Sequence, residues 1–166
     1  MVAARVEAIR ELVRGRVAKE WRSYRRQGLF RRLSNKLAGF HPPDRIRVTE
    51  HQWVGGDCEL GEPPSHAWIV DDQGVQPVSP SEPNDGGGTL RGMYFSVFEI
   101  RFGISPDGHR LLWEDVLGPR AGIGLEYALS GEGAALQMER VDIVWRSQLR
   151  PEVNEDHSLF SSRPAE

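Results

Sequence analysis

Four side chains of the types that bind metal ions lie close together in one stretch of the chain. They are His51, Asp57, Cys58 and His66, and they fall within sixteen positions. Zinc accepts nitrogen, sulfur and oxygen donors of these kinds, but the spacing matches no compact zinc motif such as a paired Cys-x-x-Cys. The sequence therefore predicts no metal or other cofactor, and leaves His51, Cys58 and His66 as candidate ligands if adjacent strands bring them together.

The second of these histidines belongs to the segment PPSHAWIVDDQGVQP at positions 63–77. With its flanks, over about residues 45–98, this segment resembles small transglutaminase-like or papain-like proteins, which carry a His-Ala-Trp strand, a glycine turn and an Asp-Pro pair. The matching positions are His66, Ala67, Trp68, Gly74 and Pro77. The resemblance implies a thiol–histidine hydrolase scaffold in which His66 is the general base.

Two members of that family's catalytic triad are not matched. Gln76 stands before Pro77, where the family has the aspartate that orients the histidine, and an amide does not stabilise an imidazolium by charge. The single cysteine, Cys58, lies only eight residues before His66, whereas the family's nucleophile lies well upstream at the start of a helix. The resemblance therefore implies a scaffold without its triad, and His66 and Cys58 remain candidate catalytic residues only.

The charges are divided unevenly along the chain. Residues 1–47 carry thirteen Arg and Lys against four Asp and Glu, a net charge of +9, and residues 48–166 carry eight against twenty, a net charge of −12. This segregation predicts either an acidic partner for the N-terminal part or a direct contact between the two parts. The candidate partner-binding residues are Arg22, Arg25, Arg26, Arg31, Arg32 and Lys36.

These cations are compatible with several kinds of partner. Arginine pairs in a bidentate manner with carboxylates and with phosphates, so an acidic protein surface is the leading expectation and a nucleic acid is the alternative. A basic amphipathic helix can also lie on an anionic membrane, but a membrane is the least favoured partner. No apolar run approaches the ~20 residues that cross a bilayer. With one cysteine and no apolar secretory stretch, the sequence predicts a soluble, cytoplasmic protein and does not indicate its oligomeric state.

The N-terminal part of the chain is predicted to be helical. Apolar residues that recur at three- and four-residue steps define one helix face. They are Val6, Ile9, Val13, Val17, Trp21 and Tyr24. Gly28 is predicted to end this helix, and a second short helix is predicted to follow from Leu29 and to stop at Gly39. Residues 1–40 are thus interpreted as a basic helical part.

Residues 45–147 are predicted to form a sheet. The predicted strands cover 45–54, 66–71, 93–102, 110–117, 123–129 and 134–145. Short turns between the later strands favour consecutive antiparallel pairing, and bulky apolar residues on both faces of 93–102 predict a central strand. The Pro- and Gly-rich stretch 76–92 is predicted to be a loop without strands, and residues 151–166 to be a flexible tail.

The predicted fold is a single α+β domain over residues 1–150, with a long and a short N-terminal helix on a mainly antiparallel sheet. The alternative is a cystatin-like or NTF2-like cone whose concave side holds a small ligand. The leading functional hypothesis is a non-catalytic interaction module, a subunit or accessory protein of a larger assembly. The alternative is a small-ligand-binding protein or a degenerate thiol–histidine hydrolase with a pocket near His66.

Overall fold

The fold is that of a computed structural model of the chain. It describes residues 2–26, 40–41, 45–54, 59–82, 88–90, 93–95, 99–118 and 121–146. The predicted second helix, the predicted helix end at Gly28 and the predicted tail lie outside the described residues. So do the candidate site residues Arg31, Arg32, Lys36, Asp57 and Cys58.

The N-terminal helix, α1, covers Ala3–Arg25. Its fully buried apolar positions are Ile9, Val13, Val17 and Trp21. They follow each other at four-residue steps and pack on the sheet, as the apolar pattern predicted. No helix in the described part of the chain is long and apolar enough to cross a membrane.

Within the described residues, the strands form two sheets. The smaller sheet contains β1 (Phe40–His41), β6 (Gly88–Leu90) and β7 (Met93–Phe95). The larger sheet contains β2 (Ile46–Val54), β3 (Glu59–Leu60), β4 (His66–Asp71), β5 (Gly74–Val78), β8 (Glu99–Ile104), β9 (Arg110–Gly118), β10 (Ala121–Ser130) and β11 (Gln137–Arg146). Its strand order is β11-β10-β9-β8-β2-β4-β5, with β3 paired to β2.

The pairing of the larger sheet is mixed but mainly antiparallel. Strands β8, β9, β10 and β11 pair consecutively and antiparallel, as the short turns predicted. Strands β2 and β8 pair in parallel. The fold class is therefore α+β with an N-terminal helix, as predicted.

Three details of the strand prediction are wrong. The stretch 76–92 contributes to β5 and β6, and Pro77 is accommodated because β5 is an edge strand. The stretch 93–102 is divided between the two sheets, and only its second part, in β8, is central. The stretch 134–145 enters β11 three residues late, because Gly133–Ala135 form a 3-10 turn.

The larger sheet has two faces of different character. We call the face that α1 covers the inner face. Its buried side chains include Val48, Trp68, Phe102, Trp113 and Leu125. Side chains alternate along a strand, so the neighbours of these residues project from the other side, which we call the outer face. The inner face holds the hydrophobic core, and the outer face carries polar groups.

One aromatic ring of the outer face lies across two glycines. Trp145 of β11 is the cross-strand neighbour of Gly124 in β10, and a Cβ at Gly124 would overlap three atoms of its indole ring. A Cβ at Gly122 would stand 3.1 Å from the far end of the same ring. The absence of side chains at these two positions therefore provides the space for the indole.

We expect Gly124→Ala to lower the free energy of unfolding by ~1–3 kcal/mol, because the added methyl group displaces the Trp145 ring. The matched control is Gly15→Ala in α1, where a Cβ would meet no atom within 4 Å. That variant should gain ~1 kcal/mol from the higher helix propensity of alanine. Urea unfolding of dilute protein measures both changes, and equal stabilities of the two variants would contradict this account.

Candidate functional site

His66, at the start of β4, lies beside an ion pair that joins α1 to the sheet. It is the cross-strand neighbour of Glu50, and its Nδ1 lies 3.4 Å from Glu50 Oε2 and 3.0 Å from Ser65 Oγ. Arg10 of α1 donates two hydrogen bonds to the same carboxylate, from Nε at 2.6 Å and from Nη2 at 3.2 Å. These bonds raise the pKa of Arg10 and tie α1 to β2.

The carboxylate beside His66 belongs to Glu50, whereas the family resemblance places the orienting residue at position 76. Gln76, at the position of the family's orienting aspartate, pairs with Ile69 in the β4–β5 ladder. Residues 66 and 69 of one strand project to opposite faces, so Gln76 does not lie beside the imidazole. Glu50 does, and sequence reasoning missed it because strand register is a tertiary property. The one available signal was that Glu50 and His66 occupy neighbouring predicted strands.

The surroundings of His66 hold its ring and include an exposed hydroxyl, Ser65 Oγ, beside Nδ1. The ring is half exposed and stacks on Trp68, with 6.0 Å between centroids. Arg10 Nη2 also lies 3.4 Å from Nδ1, so three neighbours compete for that nitrogen. An imidazole beside a carboxylate is an arrangement suited to a general base. Cys58, the candidate nucleophile, lies outside the described residues.

The two candidate histidine ligands lie on opposite faces of the sheet. His66 shares the inner face with its neighbour Glu50, whereas His51 follows Glu50 in β2 and projects to the outer face. Their adjacent strands therefore do not bring the two rings together. Within the described ranges, no group of three His, Cys, Asp or Glu side chains is placed to hold a metal ion.

His51 is enclosed in a network of hydrogen bonds, with a side chain only 2% exposed. Its Nδ1 lies 2.9 Å from the Gly61 carbonyl oxygen, which only accepts, so Nδ1 carries the proton. Its Nε2 lies 2.9 Å from Thr49 Oγ1 and accepts from Arg101 Nε at 3.4 Å. Burial outweighs the Gly61 carbonyl and lowers the pKa of His51, because desolvation disfavours the imidazolium. The network therefore favours the neutral ring.

Carboxylates complete this network on the outer face. Thr49 Oγ1 donates to Glu99 Oε1 at 2.6 Å. Arg101 donates to Glu62, which precedes β4, and its Nε lies 3.7 Å from Glu114 Oε2 on β9. Burial raises the pKa of Glu114, and Arg101 opposes that shift. The network holds the strands and the β3–β4 loop together. Because Thr49 is fully buried, its hydroxyl is not accessible as a nucleophile.

Most arginines of α1 are held by acceptors within the chain. The held residues are Arg5, Arg10, Arg14, Arg16 and Arg25. Arg25, a candidate partner-binding residue, pairs with Asp72 between β4 and β5, with 2.9 Å from Nη2 to Oδ2. Both side chains are about half exposed, and such surface pairs contribute little to stability. The contact nevertheless directs Arg25 toward the sheet.

Arg22 and Arg26, the other described candidates for partner binding, have a different environment. Both are exposed, and neither makes a side-chain hydrogen bond or ion pair with another described residue. Arg26 directly follows α1, and its amide donates to the Arg22 carbonyl oxygen at 3.1 Å. The two side chains, four residues apart, therefore project from the same side of the helix end. We call Arg22 and Arg26 the basic end of α1. Cations at this end are also favoured by the helix dipole.

The free energy of unfolding is expected to decrease as the pH falls below ~6.5, the value of an unperturbed histidine. The lowered pKa of folded His51 means that the unfolded chain binds a proton there before the folded chain does, so stability rises with pH in this window. His51→Gln should flatten the dependence between about pH 8 and about pH 5.5. The raised pKa of Glu114 acts with the opposite sign, nearer the carboxyl range.

Chemical denaturation across this range measures the effect, and His109→Gln is the control. His109 is exposed in the turn between β8 and β9, so its removal should leave the slope in place. An unchanged slope in His51→Gln would assign the dependence to another group.

Comparison with known proteins does not assign a role to these residues. No protein-family model, no curated protein and no solved structure matches this chain. The roles proposed below therefore rest on the contacts, burial and charges of the described side chains.

Proposed function

We propose that the protein is a non-catalytic interaction module, a subunit or accessory protein of a larger assembly, and that it contacts an acidic protein surface through the basic end of α1. The observation that carries this proposal is the contrast between two sets of arginines on one helix. Those that face the sheet are held by acidic or carbonyl groups, whereas Arg22 and Arg26 are exposed without such an acceptor in the described part of the chain.

The physical chemistry of arginine supports this assignment. A guanidinium presents donors in a planar fork that matches a carboxylate. Two such forks four residues apart offer a partner two adjacent pairing positions on one side of a helix. Exposed charges of this kind increase association rates and select a complementary surface more than they add affinity.

The test compares capture by three forms of the tagged full-length chain from a lysate of its source cell. Arg22→Gln/Arg26→Gln is expected to lose the captured protein while its stability stays within ~0.5 kcal/mol of the parent, because these side chains make no hydrogen bond or ion pair with another residue that the structure describes. The control, Arg5→Gln/Arg14→Gln, removes the same charge. It should keep the capture and lose ~1–2 kcal/mol of stability, because its arginines are hydrogen-bonded within the fold.

Quantitative mass spectrometry and thermal melting give the two readouts, with and without nuclease. Capture that depends on nucleic acid would contradict an acidic protein partner. Capture retained by Arg22→Gln/Arg26→Gln, or lost equally from both double variants, would contradict a role for the basic end, since the second result reports net charge alone.

The alternative function, hydrolase-type chemistry at His66, is favoured by one observation, the carboxylate of Glu50 beside its ring. Against it, Arg10 already neutralises that carboxylate with two hydrogen bonds. We expect a broad esterase and peptidase screen to find no activity that depends on these residues. Activity that is present in the parent chain and absent from both His66→Gln and Cys58→Ser would establish the alternative instead.

A further inference from the structure

One exposed row of α1 carries an unusual arrangement of charge. Residues four apart on a helix form a ridge on its surface, and one such ridge comprises Glu7, Glu11, Gly15, Lys19 and Ser23, all of them exposed. The ridge is acidic before Gly15 and basic after it. It projects away from the buried stripe of Ile9, Val13, Val17 and Trp21, so it does not contribute to the core.

The glycine at the centre of this ridge has no explanation within the described chain. A Cβ at Gly15 would meet nothing within 4 Å, so neither a close neighbour nor a turn requires glycine there. Glycine inside a helix costs ~1 kcal/mol relative to alanine. What the missing side chain does provide is a notch in the ridge, at which another helix backbone can approach closely.

We propose that α1 pairs with α1 of a second copy of this chain, antiparallel and crossing at Gly15 of both copies. A two-fold axis through that crossing places Glu11 opposite Lys19 of the partner subunit and Lys19 opposite Glu11 of the partner subunit. The same ridge is thus complementary to itself, as a symmetric dimer requires. A parallel arrangement would instead oppose like charges, so the charge order selects the antiparallel one.

The charges of the ridge are available for this pairing. Neither Glu11 nor Lys19 belongs to an ion pair within the described residues, whereas Glu7 is already held by Arg10 and Arg14. When two helices pack through ridges of residues spaced four apart, their axes lie about 8–10 Å from each other. A glycine at the point of closest approach favours the short end of that range.

A groove beside the ridge, lined by polar as well as apolar residues, supplies surface that the ion pairs alone do not. It has a volume of about 840 Å³ and runs between α1 and the start of β11. Leu12, Leu136 and Met138 line it together with Gly15. Exposed ion pairs contribute about 0–1 kcal/mol each. Leu136 already belongs to the core, whereas Leu12 and Met138 are only partly buried, so a second helix gains affinity from the part of Leu12 and Met138 that is still exposed. The groove is continuous with the crossing point, where a second helix would cover it.

The dimer does not use the basic end of α1. The two-fold axis through Gly15 places Arg22 opposite residue 8 and Arg26 opposite residue 4, and both of these residues are alanines. Loss of the dimer would therefore leave the proposed partner contact in place, and loss of that contact would leave the dimer in place.

Sedimentation equilibrium of the full-length chain tests the proposal at micromolar concentrations. The parent chain should reach the mass of a dimer. Glu11→Lys and Lys19→Glu should each raise the dissociation constant of the dimer by about tenfold, because each converts two attractive ion pairs into two repulsive ones. The double variant Glu11→Lys/Lys19→Glu should restore dimerisation, since it exchanges the partners of both pairs.

Gly15→Leu tests the crossing point, and Glu132→Lys is the control. A leucine at position 15 points to solvent, so the chain should remain folded. Because the leucine fills the notch, the chain should be monomeric. Glu132 is exposed before the 3-10 turn, off the ridge, so its reversal should leave the mass unchanged. A monomeric parent chain, a dimer that persists in Gly15→Leu, or a double variant that remains as weak as the single reversals would each overturn the proposal.

Discussion

Burial of the apolar stripe of α1 against the inner face determines which of its other side chains can reach the sheet. Trp21 and Val13 pack into one cluster with Phe102 and Trp113, and removing a large apolar side chain from water contributes ~1.5–3 kcal/mol. Once that stripe is buried, the rotation of the helix about its axis is set. Arg10, Arg25 and Arg5, which flank the stripe, then meet acids and carbonyl groups of the sheet and its turns, and residues opposite the stripe remain in solvent.

This orientation accounts for part of the charge segregation along the chain. The sequence allowed two explanations, a direct contact between the basic and acidic parts or an acidic partner. Arg10–Glu50 and Arg25–Asp72 are direct contacts of the first kind. Because Glu50 is largely shielded from water, the loss of Arg10 would leave a charge with reduced solvation, which is why such pairs are costly to break. The second explanation remains the proposal for the exposed end of the helix.

Polar contacts organise the outer face in a different way. A buried polar group is costly unless it is hydrogen-bonded, and His51 meets this requirement because its Nδ1 donates to the Gly61 carbonyl oxygen and its Nε2 accepts from Arg101. These partners come from the loop before β4 and from β8, so the ring connects β2 to two other segments. Arg101 extends the network to β9. The same enclosure that satisfies His51 disfavours its protonation, so a structural residue acquires a dependence on pH.

Local patterns in the sequence predicted α1 and the longer strands, whereas the short strands, register and pairing depended on tertiary structure. The spacing of Ile9 to Trp21 predicted α1, and strand-like segments between short turn sequences predicted β2, β4, β9 and β10, because these patterns reflect the geometry of a single segment. The sequence did not predict that Glu50 accompanies His66, that His51 faces away from it, or that 93–102 is divided between two sheets. Each of these depends on which distant segment a strand pairs with, and a shift of one residue in that pairing exchanges the two faces.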